Sequence, residues 1–186
     1  KSFLIVALSG LASLPIGWSF LKDYQRNRVL TFLDPATDPL GAGYHIIQSK
    51  IAVGSGMFLG KGFLKGTQAH LYFLPERHTD FIFSVWAEEW GFVGSILVVI
   101  LYGALIAWGL KIASHSRDRF GRLLALGITA NIFWQTTVNI GMVLGLLPVV
   151  GVPLPLFSYG GSSLVSTMLS FGLLMSISIR RFIFQR

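Results

Sequence analysis

Arg77, His78 and Asp80 place a guanidinium, an imidazole and a carboxylate within four positions, directly before a long apolar run that opens at Phe81. Charged groups at the point where a chain enters a membrane are costly to desolvate unless they pair or perform work. The work open to this trio is proton acceptance by the carboxylate, with His78 orienting it and Arg77 binding an anion. The competing reading is structural: Asp80 as the N-cap of the helix that follows, accepting from its first free amides. On the residues alone both stay open.

Glu88 and Glu89 follow two turns further on. At about 100° per residue, Ser84 falls near the Asp80 face, Glu88 about 80° from it and Glu89 opposite, so Glu88 is expected to share a cavity with Asp80. Glutamates at membrane depth must point into protein, pair with cations or stay protonated, and a snorkelling interfacial position is the alternative for Glu89.

Upstream, residues 54–62 read Gly-Ser-Gly-Met-Phe-Leu-Gly-Lys-Gly. Too few residues separate Gly56 from Gly60-Lys61, and no Ser or Thr follows the lysine, which excludes a nucleotide P-loop. What remains is a glycine-rich turn whose amides, with Lys61 and Lys65, could hold a phosphate oxygen, or glycines that only let the backbone turn sharply against a bilayer. His45, His70 and His78 share a loop with acidic residues, but their spacings match no closed zinc site, and no metal ligand is assigned.

The elements that must position these groups are membrane helices. Of 186 residues, 53% are hydrophobic and only 12% charged, too few to cover a soluble surface. The net charge of +7 is scattered in ones and twos between apolar runs, which fits phospholipid headgroups and anionic lipid substrates and argues against nucleic acid. The absence of cysteine removes disulfides and thiolate metal sites. Lys1 is not a start methionine, and residues 2–21 lack a basic leader and a cleavage motif, so the chain is expected to be a piece of a longer protein without a signal peptide.

Four spans are expected: 2–21, kinked at Pro15; 81–110; 123–147, carrying Asn131, Gln135 and Asn139 on one slowly drifting face; and 162–179, with Ser162, Ser166 and Ser170 on a packing face. Between the first two, residues 22–79 form a long loop outside the hydrocarbon, with a headgroup-level collar at Lys22, Asp23, Arg26 and Arg28 and a short interfacial helix over 43–53. Residues 111–122 form a short loop, 148–161 a stiff turn punctuated by Pro148, Pro153 and Pro155, and 180–186 a tail. Basic residues cluster at both ends and around Arg117, which puts that side in the cytoplasm and Asp80 on the other. The long loop, with seven Lys and Arg, argues the other way, but it is near the length at which the rule stops applying.

Several segments in this order resemble the RodA/FtsW family of bacterial shape, elongation, division and sporulation proteins. They are 48–56 (Gln-Ser-Lys-Ile-Ala-Val-Gly-Ser-Gly), 74–83 (Leu-Pro-Glu-Arg-His-Thr-Asp-Phe-Ile-Phe), Asn139-Ile140-Gly141, 145–148 (Gly-Leu-Leu-Pro) and 158–163 (Ser-Tyr-Gly-Gly-Ser-Ser). Pro75-Glu76-Arg77-His78, Gly60-Lys61-Gly62 and 151–155 (Gly-Val-Pro-Leu-Pro) are closer to the RodA branch. Met57 stands where the family usually has a further glycine.

The resemblance implies an all-α polytopic membrane protein, of which this chain is the last four helices of a ten-helix fold with its large extracytoplasmic loop. It implies a peptidoglycan glycosyltransferase of the bacterial cytoplasmic membrane that polymerises lipid II during cell elongation and shape maintenance. The implied partners are a class B penicillin-binding transpeptidase and other elongation-complex membrane proteins. The family's essential aspartate falls on Asp80.

In that reading Asp80 takes the proton of the acceptor hydroxyl, and Arg77, Lys50, Lys61 and Lys65 receive the charge of the pyrophosphate. His78, Glu88, Ser158 and Ser162 complete the candidate substrate site. No cofactor is required, and room remains for a divalent cation shared with the pyrophosphate. The alternatives are a flippase or transporter of a lipid-linked sugar, with Glu88 and the Asn131, Gln135, Asn139 stripe lining its path, and a non-catalytic scaffold for the transpeptidase.

Overall fold

The computed structural model describes residues 19–38, 41–67 and 78–183. All regular structure among them is helical: α1 (Asp23–Leu33), a single 3-10 turn at Pro35–Thr37, α2 (Ala42–Ser55), α3 (Ile82–His115), α4 (Arg119–Val143) and α5 (Gly161–Ile183). Residues 2–18 of the span expected over 2–21, Pro15 included, lie outside the described residues. The apolar stretches of α3, α4 and α5 are each long enough to cross a membrane.

Residues 22–67 are mostly helical rather than an open loop. Asp34 stops α1 and starts the 3-10 turn at once, its carboxylate accepting from the amide of Ala36 at 3.1 Å, with Pro35 pre-set for the first helical position. In α2, Ile46, Ser49 and Ala52 recur at helical spacing and are all buried, while Ile47, Lys50 and Ile51 on the opposite side are exposed. The buried face docks on the bundle, where the Ser49 hydroxyl donates to the carbonyl of Val143 at 2.8 Å and satisfies a helix-end carbonyl of α4.

α3 and α4 run antiparallel around the short connection at 116–118. Gly109 is closed over by Thr129, and further towards the start of α3, Tyr102 faces the same apolar groove as Thr136 and Ile140. Asp118 caps α4 by accepting from the amide of Gly121 at 3.0 Å. The other end of α4 stops at Val143, short of the expected 147. Gly145, at φ 67°, donates to Met142 at 3.0 Å and Leu146 donates to Gly141 at 2.7 Å, the paired bonds of a Schellman motif.

One apolar cluster joins Ala52, Phe81, Phe83, Val98, Met142, Val143 and Leu154 where α3 begins. A second joins Ile112, Ala113, Ala125 and Leu174 at the opposite end, seating α5 on the α3–α4 pair. In α5, Ser166 and Ser170 donate to carbonyls of their own helix, at Ser163 and Ser166.

α3 is broken at Gly91, whose φ of 64° and ψ of −158° lie in a region essentially reserved for glycine. The break frees four backbone groups, and residues 57–62 take them up. Phe92 and Val93 donate to the carbonyls of Met57 and Phe58 at 2.8 and 3.2 Å, while Lys61 and Gly62 both donate, at 3.0 Å, to Glu88 and Glu89. Met57 sits at φ 48°, the left-handed conformation that glycine adopts freely.

Candidate functional site

The residues before α3 are held by their backbone. The carbonyl of His78 accepts from the amide of Tyr159 at 2.8 Å, that of Thr79 from the Ser158 hydroxyl at 2.6 Å, and that of Asp80 from the Asn139 side-chain amide at 2.8 Å. The same Asn139 nitrogen donates to Val152 at 2.7 Å, and the Ser158 hydroxyl accepts from the amide of Leu154 at 2.7 Å. Asn139 is fully buried and Ser158 nearly so, so these bonds form away from water, where leaving either carbonyl unpaired would be costly. α4 and the 148–160 turn thus fix three successive carbonyls and, through them, the direction in which Asp80 leaves the backbone.

The N-cap position of α3 falls on Phe81, one residue after Asp80. The half-buried Asp80 side chain lies against the proline turn, where Gly151, at φ 75°, comes so close that a methyl group there would stand 3.2 Å from Oδ2. His78 and Ile82, two residues before and two after Asp80, line a cavity of about 500 Å³ with Phe157, Ser158 and Tyr159. Arg28 of α1 reaches the same turn, donating to the carbonyl of Val150 at 3.3 Å. Asp80 thus lies in sequence between two residues that line the cavity, on a backbone held at three successive carbonyls.

The remaining candidates are placed as follows. Arg77 lies outside the described residues. His78 is exposed at the cavity. Lys50 is exposed and reaches across to the end of α4, with Nζ 2.6 Å from where a methyl group on Gly145 would sit, a favourable place for a cation beside helix C-terminal carbonyls. Lys65 is exposed, and Ser162 lies exposed in the first turn of α5.

Glu88, expected beside Asp80, is instead enclosed with other partners. Its Oε1 accepts from Lys61 Nζ at 2.7 Å and from the Thr67 amide and hydroxyl at 2.8 and 3.0 Å. Lys61 also donates to the Thr67 hydroxyl at 2.9 Å. The glycine-rich turn does not present its amides to a phosphate either, because those of Gly60, Lys61 and Gly62 already donate to the carbonyls of Gly56, Glu88 and Glu89. Glu88 and Lys61 form a clasp that ties the turn to α3.

Of the polar stripe on α4, Asn131 is exposed and Gln135 half-exposed, and Asn139 alone is buried at the site. The positioning part that neither residue type nor motif singled out is Thr67, and Gly151 stood within the 151–155 motif with no role given to it. Asn139 and Ser158 stood in recognisable motifs, but nothing local revealed which carbonyls they serve.

The sequence model of the FtsW/RodA/SpoVE family, described as cell cycle proteins, matches residues 1–182. The chain is 60% identical over 171 residues to the peptidoglycan glycosyltransferase MrdB of Escherichia coli K12, covering 91% of this chain and 46% of that protein. It is 50% identical over 177 residues to the peptidoglycan glycosyltransferase RodA of Treponema pallidum, covering 95% of this chain and 41% of that one. The chain therefore spans about half the length of the curated relatives it matches.

Among solved structures, a chain of a peptidoglycan synthase complex, solved for the coordination of polymerization and crosslinking, superposes with a TM-score of 0.72 at 40% identity. That match covers 100% of this chain and 50% of the other. The rod shape determining protein RodA of Thermus thermophilus superposes with a TM-score of 0.56 at 43% identity, covering 69% and 39% of the two chains. With a family match over almost its whole length, and with helices built to cross a bilayer several times, this chain is a multi-pass bacterial membrane protein that belongs to the FtsW/RodA/SpoVE family.

Proposed function

We propose that this chain carries the catalytic aspartate of a peptidoglycan glycosyltransferase that polymerises lipid II at the extracytoplasmic face of the bacterial inner membrane. The reading is supported by the fixed carbonyls of His78, Thr79 and Asp80, which set the direction of the Asp80 side chain between His78 and Ile82, two residues that line a cavity with Ser158. Such a scaffold suits a base that must meet its proton at a set distance and angle.

In the reaction, the 4-hydroxyl oxygen of one sugar bonds to the anomeric carbon of another. The bond from that carbon to the lipid pyrophosphate breaks, and the hydroxyl proton passes to the Asp80 carboxylate as the new bond forms. Arg77, Lys50 and Lys65 are the proposed cations for the departing pyrophosphate. Lys61 serves mainly as the counter-charge of Glu88, with which it makes a 2.7 Å ion pair. A class B penicillin-binding transpeptidase is the proposed partner that crosslinks the product.

Asp80→Asn, which keeps the side chain's shape, tests the assignment in the purified full-length protein supplied with lipid II. Polymer formation is expected to fall by about 10² to 10⁴ with the elution profile and thermal stability unchanged. Polymer formed at the normal rate by Asp80→Asn would remove the base from the scheme. If the unmodified protein forms none, the chain is a transporter or a scaffold instead.

A further inference from the structure

We propose that residues 57–64 form a re-entrant loop whose apolar tip is immersed among lipid acyl chains, in the leaflet on the side where α3 begins. The surrounding sequence, rich in glycine and lysine, reads as a loop in water. The structure gives it the surface of a membrane insert: Met57 is 79% exposed, Phe58 73%, Leu59 82%, Phe63 68% and Leu64 61%. A contiguous apolar patch of this kind is uncommon on a water-facing surface.

Position supports lipid as the occupant. The loop is bonded through its backbone to α3 at 88–93, and the Phe58 and Phe92 rings meet edge to face at 5.9 Å. From there the exposed face of α3 continues through Phe92, Val93, Ile96, Leu97 and Ile100. The tip and the outward wall of the span are therefore one apolar surface. The first charge after Glu89 on α3 is Lys111, and the rise from Gly91 to Lys111 is about 30 Å, the thickness of the hydrocarbon, so the break sits at its boundary. Trp90, half-exposed beside the break, is a residue type favoured at that depth.

Where the loop meets α3 its backbone is paired, as a segment lying against lipid needs. The amides of Gly60, Lys61 and Gly62 and the carbonyls of Met57 and Phe58 are all paired within the loop or with α3. The one ammonium next to the tip, on Lys61, is neutralised by Glu88. Lys65, just past the second apolar pair, is exposed at a point where it can reach headgroups. This placement stands whether or not the chain is a polymerase.

The chain has no cysteine, so single probes can be placed within it. The experiment uses the full-length protein, with any cysteine elsewhere replaced, in liposomes of phosphatidylethanolamine and phosphatidylglycerol. Nitroxides are attached at Leu59→Cys and Phe63→Cys, with Phe92→Cys as the lipid-facing reference and Ser114→Cys as the helix-end reference. Collision with oxygen, which partitions into hydrocarbon, is compared with collision with a water-soluble nickel chelate.

The ratio of oxygen to nickel collisions at Leu59 and Phe63 is expected to match Phe92 and to exceed Ser114 several-fold. A ratio no higher than at Ser114 would place the tip in water and overturn the proposal. Collisions suppressed for both reagents would mean that another protein covers the tip, and would overturn it equally. The two sites report independently, so one poorly folding variant does not remove the test.

Discussion

Asn139, buried in α4, donates its side-chain amide to the carbonyl of Asp80 at 2.8 Å, across 59 residues of sequence. The direction of the amide follows from its surroundings, since the same nitrogen faces the Val152 carbonyl at 2.7 Å, and an oxygen there would meet two acceptors. Asn139→Leu strands both carbonyls and is expected to destabilise the protein by about 1–3 kcal/mol for each. Asn139→Asp, which replaces a donor with an anion, is expected to be worse. Thermal unfolding of the purified protein checks the order, and a Leu variant as stable as the parent would contradict it.

Gly151 is expected to matter more for activity than for folding. A methyl group there meets Asp80 Oδ2 at 3.2 Å and asks for φ of 75° from an alanine, a strain of about 1 kcal/mol. Gly151→Ala should cut lipid II polymerisation at least tenfold with a small loss of stability. Gly172→Ala, which adds a methyl group into open space inside α5, should leave polymerisation unchanged and should not lower stability.

The clasp between Lys61 and Glu88 should respond unequally to the loss of either side. Glu88 is 0% exposed and Lys61 29%, so Lys61→Met leaves a buried carboxylate with its cation gone, whereas Glu88→Gln leaves a lysine that can reach water. Losing one partner of a buried pair costs about 3–5 kcal/mol, and Lys61→Met is expected in that range, with Glu88→Gln well below it. The double variant should recover part of the Lys61→Met loss. Equal losses from the two single changes, measured by thermal unfolding, would contradict this.

Two glycines of α3 should behave oppositely. At Gly91 a methyl group is opposed by Gly56 O at 2.8 Å and by the Gly60 amide, in a backbone conformation that alanine does not adopt, whereas at Gly103 it meets nothing within 4 Å. Gly91→Ala is expected to lower the yield of folded, monodisperse protein severely. Gly103→Ala should stabilise the helix by up to about 1 kcal/mol.

The sequence showed the spans because the run from Trp90 to Leu110 carries no charge, and a segment that long has few other places to be. Asp80 was conspicuous because acid, base and cation crowd together at the edge of that run. Other features left no local trace. Lys61 and Glu88 are 27 residues apart, so no periodicity links them. Gly91 in an apolar helix looks like any packing glycine, and only the carbonyls of Met57 and Phe58 reveal that the helix is interrupted. The recurrence of Asn131, Gln135 and Asn139 marked a face of α4, but which amide turns inward depends on where the proline turn lies. That turn's course follows from the Schellman ending at Gly145, which stops α4 a turn early.

The exchange of backbone partners across Gly91 also bears on how the chain is made. Residues 56–62 leave the ribosome before 88–93 do, so the strip that completes the broken helix is already present when that helix is released into lipid. A rearranged chain that supplied the same strip after α3 would expose unpaired amides at 92 and 93 throughout the interval. Its yield in the membrane should fall, even though every contact of the finished protein could still form.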